Sequence, residues 1–558
     1  MPSLRNQFLT LTASLLAYCP EILAQGLPDA GTLQQQFEEP EIREIPDLKE
    51  QSSPDATESS DTQGITVTVS AFKFSGNTIL DAEALSQAVS PFIGKTLDMH
   101  GLNAAAAAVG EAYQNANRLA RVYLPRQEIV DGEVTLRIVE ARFGDTQLES
   151  MGSEILKERT IEKYIEENQP SGEFLDLAKL NRAMLLLDDL PGLAASGTFV
   201  PGESQGETDL LLISGSEGRI DGEVTVDNYG SRATGEERVS LDVFLNSPLR
   251  IGDLVSASAL ISEGNRYGRY AYSLPVGYNG LRLGVSGSWL SYKITTDGFE
   301  ELNIKGSSRV LAANAHYPLI RSRTRNVYLN TRYEESLYDN EASGVSVSNY
   351  TSDSFTIGLT ANLFDNAFGG SVNFANITLS SGNIDLDNLN LNELPILDGR
   401  YTKLNYFVSR QQRINQKTSI YGAARGQFSD GNLDSSEKFY LGGPTGVRAY
   451  PANEGGGDDA VATTLELRYM VRPDLFVSGF YDWGYVRVNH DNPFNRNPNT
   501  YALDGGGIYL NWVGPKSIKI KATYARRISD NPDASDTGRD QDGSLIKNRF
   551  WLEASMPF

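Results

Sequence analysis

The 558-residue sequence contains one cysteine, Cys19, and three histidines, His100, His316 and His490. A lone thiol excludes an internal disulfide and a thiolate metal site. The histidines lie far apart in the chain, and no His-Glu-x-x-His phrase occurs, so neither a metal centre nor a Ser-His-Asp arrangement is expected. Basic residues are also short: 49 Lys and Arg stand against 72 Asp and Glu, for a net charge of −23. Nucleic-acid binding needs the opposite balance. Beyond the first two dozen residues there is no run of 18 apolar residues, which excludes a helical membrane span but not a barrel, whose strands hide their apolar residues by alternation. Gly94-Lys95-Thr96 matches the end of a phosphate loop, but Val89 stands where the first glycine is required, so the phrase reads as a turn. No cofactor, no metal and no enzymatic activity are expected.

What is present is ordered along the chain. Residues 1–24 have the form of a secretory signal, with Arg5, an apolar run over 8–17 and Ala24 before Gln25. Tyr18 ahead of Cys19 argues against a lipoprotein site. Residues 25–64 are acidic and rich in Pro, Ser and Gln, the composition of a disordered tail. They hold one helical candidate: Asp29 can cap residues 32–38 before Pro40 ends them. So short a helix does not fold alone.

At residue 65 the pattern becomes regular. Ile65, Val67 and Val69 alternate as a strand, Phe72 and Phe74 continue it to a Gly76-Asn77 turn, and Asp81 opens a helix carrying Leu85 and Val89. A second helix over 102–117 puts Leu102, Ala106, Val109 and Tyr113 on one stripe. Strands at 120–124 and 134–139 follow. The β-α-α-β-β order then repeats, with a strand at 143–148, helices at 153–167 and 175–188, and strands at 193–200 and 208–213. Leu177, Leu180, Met184 and Leu187 form the stripe of its second helix. Two α+β units are expected, at 65–140 and 141–216.

From 217 to 558 strand alternation takes over. Val239, Leu241, Val243 and Leu245 share a face, as do Leu281, Leu283, Val285 and Trp289, and again Ile518, Ile520, Ala522 and Tyr524. The opposing positions include Arg282, Ser286, Ser288, Lys519 and Lys521, too polar for a sandwich core and suited to a wet lumen. At about 10 residues per strand and a similar allowance for turns, this span holds roughly 17 strands; barrels take even numbers, so 16 antiparallel strands are expected. The fold class is therefore mainly β, a C-terminal transmembrane barrel preceded by two α+β units. The last strand alternates Phe550, Leu552, Ala554, Met556 and Phe558 on one face. The acidic segments 383–395 and 533–543 lack the full ligand spacing of a calcium loop and read as solvated outer loops.

Two phrases carry the candidate site. Leu441-Gly442-Gly443-Pro444-Thr445-Gly446-Val447-Arg448-Ala449-Tyr450-Pro451 has too many glycines and prolines for a helix or central strand, so Arg448 and Tyr450 are presented from a loop. Gly479-Phe480-Tyr481-Asp482-Trp483-Gly484-Tyr485-Val486 alternates strictly, with Tyr481, Trp483 and Tyr485 outward and Phe480, Asp482 and Gly484 inward. Asp482 is then a partner for Arg448, and Glu466, inward beside Arg468, competes for it.

A V-R-G-Y-type loop followed by F-x-D-x-G on a nearby strand resembles the outer-membrane transporters of two-partner secretion, the TpsB or haemolysin/haemagglutinin secretion-activation proteins. Ala449 stands where that pattern has glycine. Leu124-Pro125-Arg126-Gln127 and Leu190-Pro191-Gly192 are similar to phrases in the family's paired POTRA domains. Asp227-Asn228-Tyr229-Gly230-Ser231-Arg232 and Pro248-Leu249-Arg250-Ile251-Gly252-Asp253 are similar to the start of its barrel. The resemblance implies an N-terminal helix at 25–39 plugging the barrel, a linker at 40–64, periplasmic POTRA units, and an inward loop at 441–458. It implies that Arg448 locks this loop to Asp482 or Glu466, with Gly446, Val447 and Tyr450 as loop motif and Phe480 and Gly484 as wall motif. It further implies that Phe558 is the signal read by the barrel assembly machinery. The implied partners are a secreted exoprotein with an N-terminal secretion domain and outer-membrane lipid, the chain acting as a monomer. An outer-membrane insertase is the alternative, sharing the loop and wall motifs.

Overall fold

A computed structural model describes residues 27–38, 66–151, 155–296, 298–387, 399–492 and 495–558. The expected signal at 1–24 and linker at 40–64 lie outside the described residues, as does most of the acidic segment at 383–395. The first helix, α1 (Ala30–Glu38), begins where the Asp29 carboxylate accepts the Thr32 amide at 2.8 Å.

The first α+β unit comprises β1 (Val67–Thr68), β2 (Ala71–Ser75), α2 (Ala82–Val89), β3 (Thr96–Leu97), α3 (Met99–Asn115), β4 (Ala120–Tyr123) and β5 (Glu133–Glu140). Its main sheet runs β2-β5-β4, with β2 parallel to β5. Gly94 turns at φ 78°, and the chain returns to pair β3 with β1. α3 starts three residues earlier than the 102–117 periodicity indicates, because Asp98 caps it through the Gly101 amide at 2.8 Å. Leu85, Val89, Leu102, Val109, Tyr113, Val134 and Leu136 fill the core.

The second unit comprises β6 (Arg142–Met151), α4 (Glu158–Asn168), α5 (Leu177–Asp188), β7 (Leu193–Pro201) and β8 (Glu207–Ser216), in sheet order β6-β8-β7. α4 begins at Glu158 rather than 153, because Ile155 and Leu156 turn into the core ahead of it. On α5 the fully buried stripe is Leu180, Ala183, Leu186 and Leu187, with Leu177 and Met184 packed at its margin. An Arg321–Asp189 ion pair, with bonds of 2.9 and 2.8 Å, ties this unit to the barrel.

Sixteen strands close the barrel among the described residues. They are β9 (Ile220–Asp227), β10 (Arg238–Asn246), β11 (Leu254–Ile261), β12 (Asn265–Pro275), β13 (Arg282–Lys293), β14 (Lys305–Arg321), β15 (Arg325–Ala342) and β16 (Val345–Asp365). β17 (Ser371–Asp387), β18 (Gly399–Arg413) and β19 (Thr418–Ser429) follow, then two short inner strands, β20 (Phe439–Tyr440) and β21 (Gly456–Gly457), outside the barrel ladder. β22 (Asp459–Arg472), β23 (Leu475–Arg487), β24 (Thr500–Val513), β25 (Lys519–Arg527) and β26 (Asn548–Pro557) complete it. β26 pairs antiparallel with β9, and Phe558 and Gly222 exchange both backbone hydrogen bonds at 2.9 and 3.1 Å. Closure leaves no strand edge, the condition for a sheet to sit in lipid. Leu241, Val285, Trp289, Tyr481, Ile508, Phe550 and Met556 are exposed on the outside, whereas Ser288, Ser308, Glu466 and Asp482 are buried inside. The rim that receives the α+β units carries short turns; the opposite rim carries the long connections, with short ones at 262–264 and 343–344.

Glu140, at the end of β5, braces the first unit. Its carboxylate accepts the amides of Thr78 and Ile79 at 2.7 Å each, the Thr78 hydroxyl, and the Tyr113 hydroxyl at 2.8 Å. Burial pushes its pKa up, but these donors outweigh it and hold the carboxyl below its ordinary value. The contribution is present above the unfolded carboxylate range and is lost as pH falls through the lowered folded value. Glu140→Ala is expected to destabilise this unit by about 1–3 kcal/mol. Faster hydrogen exchange at the Thr78 and Ile79 amides, with a smaller loss on acidification than in the wild type, would register it.

Candidate functional site

Between β19 and β22 the chain turns back into the barrel, so the inward segment is 430–458, beginning before the expected 441. Its local path is set by glycines. A Cβ on Gly446 would lie 2.0 Å from the Leu441 carbonyl oxygen, which itself accepts the Val447 amide at 2.7 Å. The Tyr450 amide then donates to the Val447 carbonyl at 3.0 Å. This tight fold turns Leu441, Val447, Ala449 and Tyr450, all fully buried, against Phe480, Val486, Leu503 and Ala525 of the wall.

The wall is shaped to receive them. A Cβ at Gly484 would meet Leu441 Cδ2 at 2.8 Å and Val447 Cγ2 at 3.1 Å. One at Gly505, on β24, would meet the Ala449 Cβ at 2.4 Å. The alanine that replaces the pattern's glycine is therefore housed by a glycine of the facing strand.

Arg448 lies at the centre. Its Nε and Nη2 donate to the two oxygens of Asp482 at 2.8 Å each, and its own amide donates to Asp482 Oδ2 at 3.1 Å. Nη1 donates to Glu466 Oε1 at 2.9 Å. The guanidinium also lies over the Phe480 ring, 3.5 Å from its centroid. The Arg448 carbonyl accepts the indole N–H of Trp551, on β26, at 2.8 Å. The sequence reading set Glu466 as a competitor for Arg448. In the structure the planar fork of five donors serves both carboxylates at once, and Glu466 is shared with Arg468 at 2.8 Å. Thr464 completes the Asp482 shell at 2.9 Å. Tyr450 lies away from these carboxylates, its ring 4.2 Å from the Arg527 guanidinium and its hydroxyl donating to Ser529 O at 3.3 Å. Phe558 is remote from this cluster, at the closing seam.

α1 sits in the same lumen. Gln34 Nε2 donates to Ser288 at 2.9 Å and Gln34 Oε1 accepts from Ser308 at 2.6 Å. Glu38 pairs with Arg332 at 3.0 Å. Its other side meets the inward segment: Thr32 and Tyr440 share a hydrogen bond of 3.1 Å, and Gln35 donates to Lys438 O at 2.8 Å. Gln34 and Glu38 stand four residues apart on one helix face, a signal the sequence carried. Their partners Ser288, Ser308 and Arg332 are indistinguishable there from any other inward strand position.

The acidic segment 533–543 is solvated only in part: residues 536–539 are exposed, but its last acids are not. Asp540 and Asp542 are buried in ion pairs with Arg527 and Arg549, because the 528–547 connection folds down onto the inward segment. The three histidines do not meet: His316 stacks on Tyr328, and His490 contacts Asp459. Among the described residues no group of His, Cys, Asp and Glu is placed to hold a metal ion.

Removing one member of a buried ion pair strands the other charge, at a cost of about 3–5 kcal/mol. Arg448→Ala, which strands two carboxylates, is expected to loosen the inward segment more than Glu466→Gln, which leaves the bidentate Asp482 pair. Asp482→Asn is expected to fall between them. Protease cleavage within 430–458 of the folded barrel would rank the three.

A family model described as haemolysin secretion/activation protein ShlB/FhaC/HecB matches residues 206–508, and one for the ShlB-type POTRA domain matches residues 67–141. The heme/hemopexin transporter protein HuxB of Haemophilus influenzae (strain 86-028NP) is 26% identical over 560 residues, covering 96% of each chain. The outer membrane transporter CdiB of Escherichia coli O6:K15:H31 (strain 536 / UPEC) is 23% identical over 462 residues, covering 79% of this chain and 76% of that one. The solved structure of CdiB from Escherichia coli shares the fold with a TM-score of 0.70 at 20% identity, covering 96% of this chain and 100% of that one.

Proposed function

The chain belongs to the ShlB/FhaC/HecB family of haemolysin secretion/activation proteins, outer-membrane transporter barrels with POTRA domains in the periplasm, and from this premise we propose how it moves its cargo. The two POTRA units catch an unfolded exoprotein, by its N-terminal secretion domain, in the periplasm. The barrel then passes it to the cell surface. The reading rests most on one observation: a polar-walled cylinder whose lumen is filled by α1 and the inward segment, both held by hydrogen bonds and ion pairs to the wall. Such contacts exchange readily with those of a passing polypeptide, whose own backbone groups need partners along the way.

Capture by strand addition fits the second unit. Among the described residues β7 is an edge strand with one side unpaired, its residues 196–199 are exposed, and Phe199 offers an apolar anchor. The sequence has no nucleotide phosphate loop, so folding of the cargo outside supplies direction. Arg448, Asp482 and Glu466 act as the lock that keeps the inward segment seated while the pore is idle. Phe558, at the closing strand, is the signal to the barrel assembly machinery, and the monomer embedded in outer-membrane lipid is the working unit. HuxB is named for heme/hemopexin transport, so a heme- or hemopexin-binding exoprotein is the first cargo class to test here. An insertase would share the lock, but it would have no use for a lumenal helix that must be displaced, and α1 therefore favours secretion.

The test is secretion of a large candidate exoprotein co-expressed with this chain, measured in the medium with the barrel's heat-modifiable folded form as control. Arg448→Asp and Asp482→Arg singly are expected to lower secretion at least ~10-fold, in keeping with loss of a buried pair. The double swap restores only part, because Asp at 448 faces Glu466. Wild-type secretion in both single variants would overturn the lock; cargo retained in the periplasm by the wild type would overturn the secretion reading.

A further inference from the structure

The connection between β25 and β26, residues 528–547, crosses the same mouth from which the inward segment descends. It touches that segment at three places. Tyr450 donates to Ser529 O at 3.3 Å. Arg527, at the root of the connection, donates to the Ala449 carbonyl at 3.3 Å and holds Asp540. Glu454, near the end of the inward segment, accepts Asn531 Nδ2 at 2.7 Å and the Gln541 amide at 3.0 Å.

The charges in this cluster are unevenly shared. Asp540 has two cations, Arg527 and Arg549, and Asp542 has Arg549 at 3.1 Å. Glu454 is fully buried, and among the described residues its donors are two neutral groups. The charged or titratable groups facing it are Asp540 and Asp542 from the connection and the Tyr501 hydroxyl from β24. Both arginines are already taken by the aspartates. A carboxylate in such a position is held best in its neutral form.

We propose that the 528–547 connection is a second brace on the inward segment and that Glu454 is its proton-sensitive contact. Neutral Glu454 keeps the segment seated, and ionised Glu454 releases it towards the outside. The inference rests on the reading of Arg448 as the lock of the same segment. Burial, followed by the neighbouring Asp540, pushes the Glu454 carboxyl up to about 8, whereas in the released segment it returns to the ordinary carboxylate range. The seated form therefore binds one proton more than the released form between those two values. Seating weakens as pH rises through that window and changes no further above it.

The experiment uses the full chain in vesicles, with Cys19 replaced by serine and Ala452→Cys as reporter. A membrane-impermeant maleimide is added from outside, and rates are normalised to an exposed Val345→Cys control at each pH. Labelling is expected to rise at least ~10-fold from pH 6 to pH 8.5 and then level off. In Glu454→Gln it stays at the low-pH rate throughout. In Asn531→Ala, which removes a donor to the ionised form, the rise moves to higher pH; this variant decides the matter if Glu454→Gln fails to assemble. A wild-type rate independent of pH, a Glu454→Gln chain with the wild-type rise, or an unshifted Asn531→Ala midpoint overturns the inference. Arg448→Ala, labelled faster at every pH, separates the two ideas: if it leaves labelling unchanged, the lock reading fails instead.

Discussion

A guanidinium sealed inside a protein is tolerable only when every donor is spoken for, and Arg448 sets that demand at the middle of the barrel. Two carboxylates from neighbouring strands answer it, Glu466 on β22 and Asp482 on β23. They must face inward on adjacent strands in compatible register, and the ladder puts Glu466 opposite Phe480 with Asp482 two residues beyond. The glycines at 484 and 505 are further consequences, since side chains there would keep the loop from bringing its arginine to the wall. Trp551 extends the dependence to the last strand, because its indole N–H caps the Arg448 carbonyl. The loop is thus bonded both to the two strands that follow it in the wall and to the one that closes the cylinder.

The occupants of the lumen add polar contacts with the wall to an apolar packing like that of the POTRA units. Those units pack leucines, isoleucines and tyrosines into dry cores, where apolar burial contributes about 25 cal/mol per Å² and exchange with another chain would be slow. α1 buries Ala30 to Gln34, with Ala30 and Leu33 among lumenal tyrosines and Phe37 on Tyr267, and adds glutamines, a glutamate and hydroxyls bonded to a polar wall. A net hydrogen bond contributes about 0.5–1.5 kcal/mol, so each contact is replaceable by an equivalent from a passing backbone. The Arg448 cluster and the Asp540 cluster both concentrate buried charge in the lumen, and both grip the same segment.

Much of this was legible in the residues. Period-two alternation from 217 onward dictates the cylinder, and the parity of Asp482 in Phe480-Tyr481-Asp482-Trp483 puts it on the inner face. The capping aspartates Asp29 and Asp81 marked helix starts because their side chains satisfy amides a few residues ahead. Three readings went astray for reasons of tertiary packing. Glu466 looked like a rival because pairing arguments count partners one at a time, while a guanidinium offers separate edges. Ile155 and Leu156 looked helical because burial, rather than period, fixes their conformation. The 533–543 segment looked solvated because its cations, Arg527 and Arg549, belong to strands on either side and its fold over the lumen leaves no periodic trace.

The two charged clusters differ in what can undo them. Arg448 titrates far above physiological pH, so the central lock is indifferent to acidity and yields only to a competitor for its carboxylates or to a displacement of the whole segment. Among the described residues Glu454 has no cation partner and faces acidic neighbours, so its hold depends on a proton that the medium outside can withdraw. A segment fixed by one contact of each kind resists chance opening through the first and reports its surroundings through the second. Both grip within a few residues of each other, between Arg448 and Glu454. Loss of the outer contact therefore leaves a tether that still returns the segment to its seat, whereas loss of the inner one leaves the outer contact holding a loop whose tip has no place to lie.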